Sequence, residues 1–490
     1  MARPETSSPM PKHGLSEGLK SGVLILLVLL SLFLSILLWR LPAASVPTAT
    51  PYRVPGMDVL SQPQRLVQPL YLVAHAAGRD GWLPGVEATG DGSGTLWQHT
   101  RMLVRAALKT NDNALDDGRL QALEGEPLRT LRQGTSVEVR LPQGLSAAAA
   151  RWLLTGEEGA PPRNLLAPQD EVGNLLVGIT EAAHDQPAKA EGQAGVGRRL
   201  VVAFRRADGW QASELPLSAS VAGDAEAWAG EVARQAASAP AALQPSAPDG
   251  VTLRGDVWVV TAAAAAGVTV QALPLDQNAL ARATFADMSV VRTAELTNGG
   301  QLWTDGEQTL RLQPGGSFTL LRPNVSRGVG NRAVTTLFED AARWVGDMGG
   351  WPPSSALLFA TRGAGGEPAF AYTVWAGGLP LLISTTQVTS VAPDGHDRAE
   401  VARAPIEAVF APSGALQELD WRVGVTTEAA DDVALPSLEM AWKAWQQEGF
   451  LENGEVVTEL ILVQLLRPGE LTAAPAWLCV LAGGKMLVYG

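Results

Sequence analysis

VTTLFEDAARWVGDM, residues 334–348, and LPSLEMAWKAWQQEGF, residues 435–450, decide how the second half of this chain is read. At 3.6 residues per turn the first places Leu337, Ala341, Trp344 and Met348 on one helical face, and the second does the same with Leu438, Trp442 and Trp445. Leu337 and Leu438 stand the same seven residues before Trp344 and Trp445. Each helix is followed by an apolar strand (SALLFAT; TELILVQLL) and then by a second (AFAYTVW; PAWLCVL). Each second strand runs into a Gly-Gly turn, Gly377-Gly378 and Gly483-Gly484, and a further apolar run. Each helix is also preceded by a hairpin-like pair. The first is SVVRTAEL and QLWTDG around Asn298-Gly299-Gly300; the second is IEAVFA and LQELDWRV around Pro412-Ser413-Gly414. Two tandem ββαββ-like modules fit this pattern, a central one over 276–395 and a C-terminal one over 396–490.

Upstream, residues 64–275 read as an N-terminal α+β domain. LYLVAHA, SVEVRLP, GRRLVVAFRRADGW and VWVVTAAAAAGVTVQAL are strand-like, while LWQHTRMLVRAALK and LSAAAARWLLTG are helix-like, the latter stopped by Gly156. HDQPAKAEGQAGVG and QAASAPAALQPSAPDG read as flexible loops, inserted near residues 181–197 and 235–250. The fold class expected from the whole is α+β.

The N-terminus has a different character. SGVLILLVLLSLFLSILLW, residues 21–39, carries no charge between Lys20 and Arg40. As a helix it spans roughly 28 Å, close to the ~30 Å of a bilayer core. A signal-peptide h-region runs about 7 to 15 residues, so the length favours a retained transmembrane helix over 21–41, although Ala43-Ala44-Ser45 also suits a signal peptidase. Trp39-Arg40 suits the far headgroup layer. Charge asymmetry gives a slight preference for residues 1–20 in the cytoplasm and the bulk of the chain outside. Ser31 and Ser35, four apart, share one face and offer a close-packing, hydrogen-bonding seam to another helix. Pro42, Pro47, Pro51 and Pro55 make 42–63 a stiff, extended stalk.

The net charge of −13 leaves no basic patch for phosphates, which sets nucleic acid aside as a partner. Chemical motifs are scarce. His13, His75, His99, His184 and His396 are scattered without metal-ligand spacing, and HExxH, CxxC, GxSxG and P-loop patterns do not occur. His75 sits in an apolar run as a core residue. Gly90 to Gly94 reads as a surface turn rather than a phosphate cradle. Asn113, Asp117, Gly118 and Glu124 match four positions of a calcium loop, but Leu115 occupies a ligand position. Asp431-Asp432 and Glu157-Glu158 read as solvated loop charges, and the lone Cys479 as a small buried hydrophobe. The expectation is a non-enzyme without cofactor, metal or catalytic residues.

The anchor LVLLSLFLSILLW, the segment TFADMSVVRTAELTNGGQLWTDGEQTLRLQPGGSFTLLRP, VGDMGGWPPSSALLF with AYTVWAGGLPLL, and the tail LTAAPAWLCVLAGGKMLVY together resemble the YycH family. The resemblance covers the anchor and both modules well, and the first domain in outline. It implies a membrane-anchored, extracytoplasmic regulator acting with a YycI-like single-pass protein on a WalK (YycG) sensor histidine kinase that controls cell-wall homeostasis. Ser31, Ser35 and Trp39 match the family's anchor pattern, and Trp303, Asp305 and Gly306 its central hairpin. Gly350-Trp351 and Pro475 with Trp477 fall in the other shared segments. The resemblance offers no catalytic residue. Two alternatives stand beside it: an anchored module binding wall polymers through tryptophan faces, and an anchored hydrolase.

Overall fold

The computed structural model describes residues 24, 26–28, 30–31, 51–58, 63–85, 93–109, 120–142, 144–145, 172–181, 198–206, 209–261, 264–325, 332–362, 367–385, 399–422, 424–482 and 484–490. The chain begins with strands β1 (Tyr52–Arg53), β2 (Tyr71–Ala76) and β3 (Arg79–Pro84), then helix α1 (Ser93–Lys109), β4 (Gln121–Ala122), α2 (Glu126–Gln133) and β5 (Thr135–Arg140). Strands β6 (Asn174–Glu181), β7 (Arg198–Arg206) and β8 (Gly209–Pro216) precede α3 (Ala219–Ser238). Short β9 (Ala242–Leu243), β10 (Thr252–Leu253) and β11 (Val259–Val260) lead to β12 (Ala264–Ala272) and α4 (Gln277–Thr284).

The meander β13 (Arg292–Glu295), β14 (Gln301–Thr304), β15 (Thr309–Gln313) and β16 (Ser317–Leu321) runs into α5 (Val334–Asp347). It is followed by β17 (Met348–Gly349), β18 (Ser355–Arg362), β19 (Pro368–Ala376) and β20 (Leu379–Ser384). Then come β21 (Ala399–Arg403), β22 (Ile406–Phe410), β23 (Leu416–Trp421) and β24 (Gly424–Ala434), helix α6 (Leu438–Gln447), and β25 (Val456–Leu466), β26 (Thr472–Leu481) and β27 (Met486–Tyr489). The fold is mixed α+β.

The first sheet has seven strands in the order β3-β2-β5-β6-β7-β8-β4, paired antiparallel throughout. Period-two alternation sends Leu72, Val139, Val177 and Val202 to one face, where they pack with Leu103 of α1 and Trp228 of α3. Tyr71, Val73 and Trp82 instead join the core of the C-terminal strands with Leu460, Ile461 and Trp477. The sheet is therefore covered on both faces, which explains why β2 is buried at every position.

Helix α3 lies where the sequence shows no obvious amphipathic helix, and its last residues fall in the segment expected to be loop. Val221, Ala225, Trp228, Val232 and Ala236 form its buried stripe. Alanine at two of those five positions mutes the hydropathy pattern while leaving the helix propensity high. The chain beyond it is also ordered: Ala242 and Leu243 pair with Val260 and Val259.

A 16-stranded sheet contains most of the remaining strands. It does not respect a boundary at residue 275. Strand β10 pairs in parallel with β25, and β12 pairs antiparallel with both β24 and β26. Asp432 stands in β24 opposite Ala266, in a strand rather than a loop. The stalk also differs from the expectation. Residues 52–58 of it are laid against the body, Tyr52 and Arg53 pairing with Met348 and Gly349, because burial of Tyr52 and Val54 outweighs the freedom that the prolines leave.

Among the described residues no helix is long and apolar enough to cross a membrane. Of the expected span 21–41, residues 24, 26–28, 30 and 31 are described, all helical and exposed; Ser35 and Trp39 lie outside the described residues. Most of LSAAAARWLLTG, the turn residue Gly483 and Glu157-Glu158 also lie outside them.

Candidate functional site

Apart from Ser31, Ser35 and Trp39 of the expected anchor, the residues singled out by the sequence fall in three separate places, each built for folding. Trp303 is buried in β14 opposite Thr293 and Leu310. The turn that follows is closed by Asp305, whose Oδ1 accepts from the backbone N–H groups of Glu307 and Gln308, both at 2.9 Å. Gly306 takes a φ of 94°, a left-handed conformation that glycine tolerates best. In β26, Pro475 is opposite Gln464, and Trp477 donates its indole N–H to the Pro436 carbonyl at 2.8 Å. Gly350 and Trp351 lie elsewhere, beneath the stalk.

That third place joins the segment nearest the expected anchor to the body. Val54, Pro55, Gly56 and Met57 form a tight turn, with Gly56 at φ 84° and the Met57 N–H donating to the Val54 carbonyl at 3.1 Å. On either side of this turn the chain is stitched to the end of α5. Val54 N–H donates to Gly349 O (3.0 Å), Asp58 N–H to Trp351 O (2.7 Å), and Trp351 N–H back to Asp58 O (3.1 Å). The Tyr52 hydroxyl accepts from the Asp276 N–H at 2.8 Å, tying the stalk to the start of α4 as well. Trp351 is fully buried, its indole N–H donating to Ala342 O at 3.0 Å and its ring set edge-on to Tyr372 at 4.9 Å. Gly350 permits the approach, since a Cβ there would lie 2.6 Å from the Met57 Cβ. A cleft of about 360 Å³ opens beside this clasp, lined by Pro55, Met57, Pro352, Ser354, Trp375 and Thr426 among others.

A second arrangement, which the sequence reading missed, is a buried charge network where the seven-stranded sheet meets β25. Arg140 donates through Nε to Glu459 at 2.5 Å, through a terminal nitrogen to Thr458 O at 2.6 Å, and also to the Asn174 side chain. Asn174 passes the chain on to Glu138 at 2.9 Å. Arg132 bridges Glu138 and Asp256, each at 2.8 Å, and Trp210 donates to Asp256 at 2.6 Å. His75 lies at the end, with Nδ1 2.7 Å from Asp80 and Nε2 3.9 Å from Glu138.

Burial pushes the Asp256 carboxyl up, but Arg132 beside it prevails and holds it below the usual carboxylate range. Burial likewise opposes charge on Arg140, and Glu459 more than restores it. Arg140, Glu138 and Glu459 are each under 5 % exposed, so the centre of the network binds two sheets together away from solvent, while Arg132, Asp256 and Asp80 at its edge are partly exposed. A signal for it exists in the sequence: Glu138 and Arg140 interrupt an otherwise apolar strand at alternate positions, and Glu459 does so in TELILV.

The remaining candidates give no centre. His75 is a core residue, as its apolar run implies. Among the described residues no group of three or more His, Cys, Asp or Glu side chains is arranged to hold a metal ion. Cys479 is buried, and that burial pushes its thiol up to about 12. Compared with protein-family models and with curated proteins, the chain matches none.

Proposed function

We propose that this chain is a membrane-anchored, extracytoplasmic regulator of a WalK (YycG)-like sensor histidine kinase, acting with a YycI-like single-pass partner in cell-wall homeostasis. In this reading residues 21–41 cross the membrane once, and two tandem ββαββ-like modules follow the N-terminal domain. The observation that carries it is the clasp. Tyr52, Arg53 and Asp58, which follow the expected anchor in the sequence, are paired to Met348–Trp351, a linkage that in this reading carries a displacement of the anchor to the body. A simple tether has no use for that linkage, whereas a regulator that couples a membrane helix to an outer domain depends on it.

The placement of the tryptophans favours this reading over sugar binding. Apart from Trp344, every described tryptophan is buried, and sugar stacking needs an exposed ring face. Regulation asks for little energy, since a difference of about 1.4 kcal/mol in affinity for two kinase states changes their ratio tenfold.

The test is a crosslinking pull-down of the full chain from its native membrane, beside a chain whose residues 21–41 are replaced by an unrelated transmembrane helix. The expected result is recovery of a sensor kinase and a second single-pass protein, lost on the exchange. Recovery of neither protein in either sample overturns the proposal.

A further inference from the structure

We infer that residues 52–58 are a releasable strap, an opening unit of its own that lifts from Met348–Trp351 while the sheets beneath stay folded. Its attachment is short. Two parallel residue pairs, one isolated bridge at Asp58 and Trp351, and the Tyr52 hydroxyl hold it, whereas β18 and β19 are joined over seven pairs. The strap buries Tyr52 and Val54, but Arg53, Pro55, Gly56 and Asp58 are exposed. Segments with few buried contacts and short pairing are the ones that open below the global unfolding free energy.

What lies underneath favours opening further. Gly349 sits against the Trp421 ring, close enough that a Cβ there would lie 3.4 Å from the indole nitrogen. That nitrogen is buried and meets no hydrogen-bond partner among the described residues, so an opening that admitted water to it would offset part of its own cost. The turn Val54–Met57 gives the strap a defined bend, because Pro55 restrains its own φ and Gly56 takes the positive φ of 84° that the turn needs. The closed form also depends on Gly350, where a Cβ would lie 2.6 Å from the Met57 Cβ. The 360 Å³ cleft is bounded on one side by Pro55, Gly56 and Met57, so strap position sets its shape.

The consequence for signalling rests on the proposed function; the opening itself does not. Two variants of the full chain in nanodiscs test them separately. In Tyr52→Cys with Met348→Cys, two facing positions of the strap and body become linkable, and the natural Cys479 is too deeply buried to compete. In the unsubstituted chain, which keeps the Tyr52 hydroxyl bond, amide exchange at Val54, Asp58 and Trp351 is expected to run at least tenfold faster than in the β18–β19 ladder. The cysteine pair serves to compare its own reduced and oxidised forms, and oxidation should slow exchange at the three amides by a similar factor. Gly350→Ala is expected to accelerate the same three amides and leave the ladder unchanged.

Exchange of the strap amides at the ladder's rate in the unsubstituted protein overturns the inference, since the strap would then open only with the whole fold. A locked strap that leaves kinase recovery and output unchanged, while strap exchange behaves as expected, removes the signalling consequence and leaves the opening unit standing.

Discussion

Arg140 and Glu459 are 319 positions apart and meet at 2.5 Å with almost no solvent contact. Removing one member of such a pair leaves the other charged and buried, which typically costs about 3–5 kcal/mol. Arg140→Ala is expected to destabilise the protein by that amount in urea denaturation, while Arg140→Met with Glu459→Met recovers most of the loss. Glu407 behaves oppositely. Burial raises its pKa, and Asp420 opposite it in β23 adds to the shift against the pull of Arg403. A carboxyl whose folded pKa is raised stabilises the fold below its unfolded pKa and loses that contribution as pH rises through the folded value. Glu407→Gln keeps an acceptor for the Ala404 N–H and removes the penalty. It is expected to raise Tm at pH 7, by under about 1 kcal/mol in stability, with the gain vanishing below about pH 4.

At the level of elements, the two helices with matching leucine-to-tryptophan spacing are not buried alike. Trp445 in α6 is fully buried and edge-on to Trp442 at 5.2 Å. Trp344 in α5 sits at the rim of its core, with the Arg322 guanidinium 5.4 Å from its ring. Leu337, Ala341 and Met348 of the expected face are buried, but Phe338, Ala342 and Val345 widen the buried stripe to one side and leave Trp344 at its edge. Trp445→Ala is therefore expected to cost about 3–5 kcal/mol. Trp344→Ala should cost about 1 kcal/mol, as a rim contact does. Paired thermal denaturation curves measure the difference. The hairpins are where the sequence was most legible: Asn298-Gly299-Gly300 joins β13 to β14, and Gly377-Gly378, both at positive φ, joins β19 to β20. Turn chemistry is local, so reading it needs no knowledge of what packs nearby.

At the scale of the molecule, the sheets interlock more than the order of elements implies. Strands β10 and β12 precede residue 275 yet complete the sheet of the C-terminal strands, and one continuous core runs from Leu72 and Trp228 to Phe318 and Trp421. Residues 276–490 expressed alone are expected to lack a cooperative calorimetric transition, because β24 loses its partner β12, β25 loses β10 at its edge, and Glu459 loses Arg140. The chain from 51 to 490 should unfold in one transition.

The mixed class, most strands, both module helices and the turns were legible from local pattern, since periodicity and turn residues act within about a dozen positions. The sequence also placed the candidate motif residues, but as parts of turns and strands their work is structural. Only the tertiary structure decided that the stalk is clasped to Trp351, that α3 is a helix packed by alanines, and that Arg140 and Glu459 share one buried site. Each of those depends on which residues meet across hundreds of positions. Burial and ion pairing are set by the assembled neighbours, and no local pattern encodes them.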